Sequence, residues 1–216
     1  MTWRRLRGLL LSGRAVVQGL SEESCGDDPL VLFDRWFRDA RRSEWLLPEA
    51  MTLATATADG VPAARMMLLK HADQHGFVFY TNYDSRKGQE LVDNPRAALV
   101  FHWKVLQRQV RVEGSVTRLR HDESYAYFRT RPRGSRIGAW ASPQSAVMAS
   151  RDELERSFAE HESRFAAADV PLPPFWGGMR LLPVRIEFWQ GRLNRLHDRI
   201  AFTRKGDGWG RQRLAP

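Results

Sequence analysis

Cysteine is almost missing from this sequence, since Cys25 is the single one in 216 residues. One thiol cannot form an internal disulfide, and this pattern is typical of proteins from a reducing compartment. No cysteines and histidines have the spacing of a metal site. His71 and His75 are four residues apart, but Gly76 and the flanking strand patterns disfavour a helical metal-binding face. We therefore predict a cytoplasmic protein without a metal centre.

Long apolar runs are missing as well. No stretch approaches the ~18 apolar residues that a membrane-spanning helix needs. The segment from Met1 to Leu11 has the basic start of a secretory signal peptide, but its apolar part is short and is soon interrupted by Arg14. We therefore expect no membrane partner. Residues 1–28 have little periodicity and are interpreted as an N-terminal arm that is flexible.

Lysine is scarce, although the chain is strongly basic. The net charge is +9, and only four of the 34 lysines and arginines are lysines. Arginine suits phosphate because its planar guanidinium donates two parallel hydrogen bonds. Genomic base composition is an equally good explanation of the excess. The arginines form no basic stripe interleaved with aromatic residues, so we predict no nucleic-acid partner.

Glycine-rich phosphate loops and GxSxG motifs are also absent, which removes the sequence signatures of P-loop proteins and α/β-hydrolases. The patterns that are present predict many short strands and few long helices. Residues 29–216 are therefore expected to form one mainly β domain with helical additions, arranged as an antiparallel barrel. Periodicity alone does not distinguish a barrel from a sandwich.

Several local signals mark individual elements. Asp28-Pro29 predicts a helix start, Asp59-Gly60 predicts a hairpin, and Gly114 predicts a bulge in a strand. A helix is expected from the capping box at Ser150 to about residue 167. Residues 131–135 are expected to be a loop, and strands are expected at 184–190 and 196–203.

Arg65 and Lys70 bound the first candidate cluster, a strand with the sequence RMMLLK. Residues five apart on a strand point to opposite faces, so both cations serve one site only at a strand edge or a subunit boundary. The alternative is two solvated charges that flank a buried strand.

Arg86 and Lys87 mark the second cluster, where a strand ends and a helix begins. A helix N-terminus favours anions, and two cations in the first turn oppose its dipole. A bound phosphate would remove the conflict. An ordinary surface turn is the competing interpretation.

Arg195, His197 and Arg199 form the third cluster, because their alternation places them on one face of a predicted strand. Three such groups repel each other unless an anion or a carboxylate lies among them. An exposed sheet edge would also tolerate them.

These clusters and several further segments closely resemble the pyridoxine/pyridoxamine 5'-phosphate oxidases, over roughly residues 29–216. The matching segments include RMMLLK at 65–70, FYTN at 79–82, SRK at 85–87, RQV at 108–110, RPR at 131–133, IGAW at 137–140, QS at 144–145, PLP at 171–173, FWGG at 175–178, IEFWQ at 186–190, RLHDR at 195–199 and RLAP at 213–216.

The resemblance implies a homodimeric split β-barrel that holds two FMN molecules between its subunits. The residues implied to bind FMN are Arg65, Met66, Lys70, Tyr80, Thr81, Arg86, Lys87, Gln109, Gln144 and Ser145, with Trp189 and Arg199 from the opposite subunit. The residues implied to hold the substrate phosphate are Lys70, Tyr127, Arg131 and Ser135. Arg195 and His197 match residues that cover the substrate ring, and are the predicted catalytic residues.

The implied reaction is oxidation of pyridoxine and pyridoxamine 5'-phosphates to pyridoxal 5'-phosphate, with dioxygen reduced to hydrogen peroxide. One segment departs from the family, whose members carry Arg-Arg-Glu-Tyr before a Gly-Leu pair. Here Ser12-Gly13-Arg14-Ala15 stands before Gly19-Leu20. This departure leaves open an oxidase of the phenazine-precursor type on the same scaffold. A non-catalytic flavin-binding protein is a further alternative.

Overall fold

The computed structural model of the protein describes residues 19–44 and 46–216. Six helices and nine strands occur within these residues. The helices are α1 (Glu22–Cys25), α2 (Pro29–Ser43), α3 (Arg86–Asp93), α4 (His121–Thr130), α5 (Arg133–Ala141) and α6 (Arg151–Arg164). The strands are β1 (Ala50–Ala56), β2 (Pro62–Leu68), β3 (His71–Asp73), β4 (Gly76–Asn82), β5 (Arg96–Trp103), β6 (Arg108–Arg118), β7 (Trp176–Gln190), β8 (Asp198–Lys205) and β9 (Gly208–Leu214).

All nine strands belong to one antiparallel sheet, whose main path runs in the order β2-β1-β5-β6-β7-β4-β3. The long strand β7 pairs with β6 along one edge. Its other edge is divided, because β4 pairs with residues 176–181 and β8 pairs with residues 185–190. This split sheet confirms the mainly β fold with helical additions and the split-barrel class. Within the described residues, no helix combines the length and apolar character that crossing a membrane requires.

The main core lies between the sheet and α2. Asp28 caps that helix by accepting a hydrogen bond from the Leu30 amide at 2.8 Å, as the Asp-Pro pair predicted. Phe33 of α2 packs against Phe77 at 4.8 Å between ring centres, and Trp36 packs against Phe188 at 5.2 Å. The helix therefore closes one face of the sheet and leaves the opposite end of β4 open.

A second cluster of buried apolar residues lies under the C-terminal helices. Phe128 of α4, Ile137 of α5 and Phe165 after α6 pack with Val170 and Trp176. This cluster attaches the three helices to the start of β7 and β4, beside the open end of the sheet.

The hairpin at Asp59-Gly60 and the bulge at Gly114 are confirmed. β1 and β2 pair antiparallel across the turn, and the β6–β7 register shifts between Glu113 and Gly114. A Cβ atom at Gly114 would collide with the carbonyl group of Leu182, so the close approach of the two strands requires glycine there.

The predicted boundaries at the start of α5 and at the start of β7 are wrong. The expected loop at 131–135 is short, because α5 begins at Arg133 and Pro132 stands at its N-cap. Proline is compatible with a helix start, so Pro132 did not signal a longer loop. β7 begins at Trp176 rather than 184, because Gly177, Gly178 and Pro183 obscure its strand pattern.

Part of the predicted N-terminal arm is packed against the body of the protein. Residues 1–18, including the divergent segment Ser12–Ala15, lie outside the described residues. Leu20 and Cys25 belong to the main core, and the Leu20 amide donates to Asp198 Oδ2 at 3.0 Å. Residues 19–28 therefore differ from the expected flexible lead-in, because they bury apolar side chains.

Candidate active site

A cleft of about 750 Å³ opens between the end of β2, the end of β4 and the helices α4 and α5. We call it the main cleft. It brings together nine side chains that the sequence analysis placed at a cofactor or substrate site. These are Met66, Lys70, Tyr80, Thr81, Lys87, Tyr127, Arg131, Ser135 and Gln144. Residues separated by up to 78 positions along the chain thus line one concave surface.

One wall of the main cleft is aromatic. The rings of Tyr80 and Tyr127 stack at 3.8 Å between centres, and the nearly parallel ring of Trp176 lies 5.4 Å from Tyr80 and 6.3 Å from Tyr127. Burial raises the pKa of Tyr80 to about 12, so its phenol is neutral at physiological pH. Trp176 was not among the predicted site residues. Its position in the matching FWGG segment was the signal that pointed to it.

Arg131 lies against this aromatic wall. Its guanidinium is 4.7 Å from the Trp176 ring centre and 5.6 Å from that of Phe128. One terminal nitrogen, Nη1, is buried and has no hydrogen-bond partner among the described residues. Burial lowers the pKa of Arg131, although an arginine keeps its charge in proteins. An unsatisfied buried donor needs an acceptor, and an anion in the main cleft would supply one.

Lys87 is a buried cation that also lines the main cleft. Its Nζ donates to Gln144 Oε1 at 2.7 Å and to Ser85 Oγ at 3.1 Å. Burial, helped by the nearby charge of Arg65, lowers the pKa of Lys87 to about 8. Thr81 Oγ1 also donates to Gln144 Oε1, at 3.4 Å. The side chains of strand β4, helix α3 and the segment after α5 are thereby connected.

Arg65 and Arg86 meet at a carboxylate that the sequence analysis missed. Glu90 is buried, and its Oε1 accepts from Arg86 Nε at 2.8 Å while its Oε2 accepts from Arg65 Nη2 at 3.1 Å. The ion pair with Glu90, one turn further along α3, offsets part of the charge conflict predicted at the start of that helix. The spacing of four between Arg86 and Glu90 was the available sequence signal.

An adjoining cavity of about 610 Å³ contains Arg86 and Ser145, and it shares Asn82, Ser142 and Gln144 with the main cleft. Ser145 has a left-handed backbone, with φ of 75°. The two cavities therefore meet along these three residues, with Lys87 lining the main cleft and Arg86 lining the adjoining cavity.

Five predicted site residues lie elsewhere in the fold. Gln109 and Trp189 are direct neighbours in the β6–β7 register, and Trp189 and Arg199 are neighbours in the β7–β8 register. The rings of Trp189 and His197 are 4.6 Å apart, and Arg195 is exposed nearby in the chain. Of these five, none lines the main cleft in the described part of the chain. They form a second group on the same protomer.

The strand predicted for the third cluster is wrong at its beginning. Residues Leu193–Arg195 form a short 3-10 turn, and β8 starts only at Asp198. Asn194 and Arg195 have positive φ values of 55° and 61°, which no strand accommodates. Arg195, His197 and Arg199 therefore do not share one strand face.

Arg199 shares the buried carboxylate of Glu187 with Arg111 and Arg185. Its Nε donates to Glu187 Oε1 at 2.9 Å, and its Nη2 pairs with the same oxygen at 2.9 Å. Arg199 Nη1 donates to the Ala215 carbonyl oxygen at 2.9 Å. A carboxylate among the cations was one of the two solutions that the sequence pattern required, and Glu187 provides it for Arg199.

Two family profiles match most of the chain. Residues 37–165 match the profile described as "Pyridoxamine 5'-phosphate oxidase". Residues 176–216 match the one described as "Pyridoxine 5'-phosphate oxidase C-terminal dimerisation region". The second match contains Trp189 and the third cluster.

Curated relatives cover nearly the whole chain. The pyridoxine/pyridoxamine 5'-phosphate oxidase of Rubrobacter xylanophilus is 59% identical over 198 residues, which cover 92% of this chain and 91% of the relative. That of Pseudomonas paraeruginosa is 56% identical over 200 residues, covering 92% and 93%. That of Colwellia psychrerythraea is 48% identical over 214 residues and covers 99% of both chains.

Solved structures agree with the fold. PhzG from Burkholderia lata 383, in complex with tetrahydrophenazine-1-carboxylic acid, superposes with a TM-score of 0.86 at 30% identity, covering 91% of this chain and 98% of that one. A pyridoxamine 5'-phosphate oxidase-related, FMN binding protein from Nostoc punctiforme PCC 73102 has a TM-score of 0.69 at 18% identity, covering 88% and 100%. Taken with the profiles and the curated relatives, these similarities show that the chain belongs to the pyridoxine/pyridoxamine 5'-phosphate oxidase family, a family of oxidoreductases.

Proposed function

We propose that this enzyme oxidises pyridoxine 5'-phosphate and pyridoxamine 5'-phosphate to pyridoxal 5'-phosphate, with FMN as cofactor and dioxygen as the final electron acceptor, which yields hydrogen peroxide. The observation that carries the proposal is the main cleft, where the cations Lys70, Lys87 and Arg131 lie around the aromatic wall. A cytoplasmic location is part of the proposal. A chain with one cysteine cannot form the internal disulfides that are typical of proteins from oxidising compartments.

The substrate phosphate is held by Lys70, Tyr127, Arg131 and Ser135 in this proposal. All four line the main cleft, and Arg131 has a buried N–H group without an acceptor. A phosphate oxygen would satisfy that donor through a charge-assisted hydrogen bond. Fixing the phosphate orients the rest of the substrate, and good orientation contributes up to about 7–11 kcal/mol to a rate.

We assign five of the predicted residues around the two cavities to FMN. Lys87, Arg65 and Arg86 supply cationic donors for its phosphate, and Thr81 and Gln144 supply polar groups for its ring system. Bound FMN supplies the chemistry of a two-electron acceptor, which the protein's own side chains lack. The contribution of Lys87 is a buried positive charge, and that of Tyr80 is a neutral aromatic surface.

The second group of residues completes the site from a partner subunit, in a homodimer with FMN at the interface. Trp189 and Arg199 contact the cofactor, and Arg195 and His197 cover the substrate ring. Support comes from their location in the segment matched to a dimerisation region and outside the main cleft. Gln109 is the register neighbour of Trp189, so we assign it to the partner's contribution as well. Arg195 steadies charge that develops on the substrate's oxygen or amine substituent.

Oxidation of a phenazine precursor is the second candidate function. The similarity in fold to PhzG, with a TM-score of 0.86, favours it. The segment Ser12–Ala15, which departs from the family pattern, lies outside the described residues. Arg131 and Ser135 in the main cleft favour the phosphorylated substrate, because a phosphate brings three acceptor oxygens to the buried Arg131 donor and its neighbours, whereas a ring carboxylate brings two.

Turnover of the FMN-loaded protein tests the proposal. Pyridoxine 5'-phosphate in the presence of oxygen should give equal amounts of aldehyde and hydrogen peroxide, and pyridoxine without the phosphate should react far more slowly. Absence of aldehyde from protein with bound FMN and with oxygen present would overturn the substrate assignment. Reduction of the flavin by a dihydrophenazine carboxylic acid alone would favour the second candidate. A flavin that every candidate substrate leaves oxidised would indicate a non-catalytic protein.

A further inference from the structure

We propose that Glu90 is a positioning residue that holds Arg65 and Arg86 in place for the phosphate of the flavin. The inference rests on the proposed FMN binding and names a residue that the family resemblance did not assign. Glu90 is only 4% exposed, so its carboxylate is satisfied by protein groups rather than by water.

The two carboxylate oxygens of Glu90 have separate partners. Oε1 accepts from Arg86 Nε at 2.8 Å. Oε2 accepts from Arg65 Nη2 at 3.1 Å and from Thr55 Oγ1 at 2.5 Å. Arg65 also donates to Thr55 through Nη1. Thus one buried side chain of α3 connects β1 and β2 to the first turn of its own helix.

This arrangement leaves donors free for an anion. Arg86 uses Nε for Glu90, and within the described residues its two terminal nitrogens make no hydrogen bond. The Arg86 side chain is 60% exposed beside the adjoining cavity. An arginine that is already held by its ε nitrogen loses less conformational freedom when its terminal nitrogens bind a phosphate. Glu90 therefore preorganises the two terminal nitrogens of Arg86 for binding a phosphate.

The charges of this group also match a phosphate monoester. Arg65, Arg86 and Lys87 are cations and Glu90 is an anion, so the group has two net positive charges. A phosphate monoester has a charge of about −1.5 to −2 near pH 7. If Glu90 only reduced excess positive charge, its removal would strengthen phosphate binding. If it positions the arginines, its removal weakens binding, so the sign of the effect distinguishes the two roles.

The variant Glu90→Gln tests this with FMN and riboflavin as probes on the flavin-free protein. Dissociation constants are measured by flavin fluorescence quenching, and folding is checked by the thermal unfolding midpoint. We expect FMN to bind about tenfold more weakly or worse, whereas riboflavin, which lacks the phosphate, changes by less than about twofold. Glu90→Asp keeps the charge with a shorter side chain and should recover part of the FMN affinity.

Asp39→Asn is the matched control. Asp39 pairs with Arg108 at 2.9 Å, and the two side chains are 29% and 13% exposed, outside the main cleft. This variant also loses one half-buried arginine–carboxylate pair. It should leave the ratio of FMN to riboflavin affinity unchanged, even if its unfolding midpoint falls.

The pH dependence of FMN binding gives a readout that a purely structural role would not move. The charged groups facing Lys87 are Arg65 of β2 and Glu90 of its own helix, and the neutral partners are Ser85 and Gln144. Glu90 raises the pKa of Lys87, against the effects of burial and Arg65. Without the Glu90 charge the pKa of Lys87 should be lower. In Glu90→Gln, Lys87 should therefore lose its proton, and the protein its affinity for FMN, at a lower pH than in the parent protein.

The outcomes separate the inference from the proposed function. FMN binding that is equal or tighter in Glu90→Gln overturns the positioning role. An equal loss of FMN and riboflavin affinity also overturns it, because that loss indicates a general structural role. A parent protein that binds no FMN would instead overturn the proposed function. If Glu90→Gln does not fold, the same comparison is made with Glu90→Asp, where an unchanged ratio of FMN to riboflavin affinity would overturn the inference.

Discussion

The guanidinium of Arg131 lies 4.7 Å from the centre of the Trp176 ring, with a buried terminal nitrogen that has no hydrogen-bond partner among the described residues. The ring faces one side of the guanidinium plane and stabilises its charge, but it accepts no conventional hydrogen bond. Trp176 thus holds Arg131 at the wall of the main cleft and leaves one of its N–H donors unsatisfied. An anionic ligand in the cleft would accept a hydrogen bond from that donor.

Replacing Arg131 by alanine should mainly raise the KM for the phosphorylated substrate. A hydrogen bond to a charged group contributes about 1.5–3 kcal/mol, which corresponds to roughly ten- to 150-fold in kcat/KM. Steady-state kinetics with pyridoxine 5'-phosphate measure this. Arg129→Ala is the control, since Arg129 is exposed two residues earlier on α4. An unchanged KM in Arg131→Ala would contradict the phosphate assignment.

Lys87→Met should stabilise the flavin-free protein and weaken its affinity for FMN. The pKa of Lys87 is lowered to about 8 because its charge is buried. A depressed lysine pKa means that the charged form destabilises the fold at pH 7, and this cost falls progressively as pH rises from about 8 towards the ordinary lysine pKa of 10.5. Methionine of similar length removes the cost, so the unfolding midpoint should rise by about 2–4 °C for each kcal/mol relieved.

The pH series provides the check on Lys87. The difference in unfolding midpoint between Lys87→Met and the parent should be largest near pH 7 and shrink above pH 8, where the parent's lysine becomes neutral. A difference that stays constant from pH 6 to 10 would refute the burial argument. Calorimetry of both flavin-free proteins at matched ionic strength is the measurement.

Arg195→Leu should lose turnover while retaining FMN. In the proposed site Arg195 faces the substrate, and loss of a group that stabilises developing charge costs about 10²-fold or more in kcat. The flavin content of the purified variant, read from its visible absorption, should equal that of the parent. Parental activity would disprove the role, and loss of the flavin would show that Arg195 binds the cofactor instead.

Mixed dimers test whether two chains build each site. Arg131→Ala and Arg195→Leu should each be nearly inactive at low substrate concentration. When the two chains associate at random, half of the dimers are mixed, and each mixed dimer has one intact site if the residues come from different subunits. Activity should then recover to about a quarter of the parental value. No recovery, with mixed dimers verified by differential tags, would place both residues in one subunit's site.

Local sequence signals predicted those parts of the fold that depend on neighbouring residues. The cap at Asp28, the turn at Asp59-Gly60 and the bulge at Gly114 are all confirmed, because each depends on the backbone preferences of one or two residues. The start of β7 was missed, since its pairing with β4 and β6 stabilises a strand that contains Gly177 and Pro183. The left-handed backbone of Asn194 had a weak sequence signal, because asparagine tolerates positive φ, but that of Arg195 had none.

The sequence by itself determined the family, the mainly β class and which residues are candidates for phosphate and flavin binding, because ordered motifs and local backbone preferences are properties of the linear chain. Only the tertiary structure decided which candidates meet. It brought Lys70, Tyr127 and Arg131 into one cleft and located Trp189 and Arg199 in a second group. It also revealed Glu90 between two arginines. These relationships depend on strand register and helix packing, which bring together residues far apart in sequence through burial rather than through spacing along the chain.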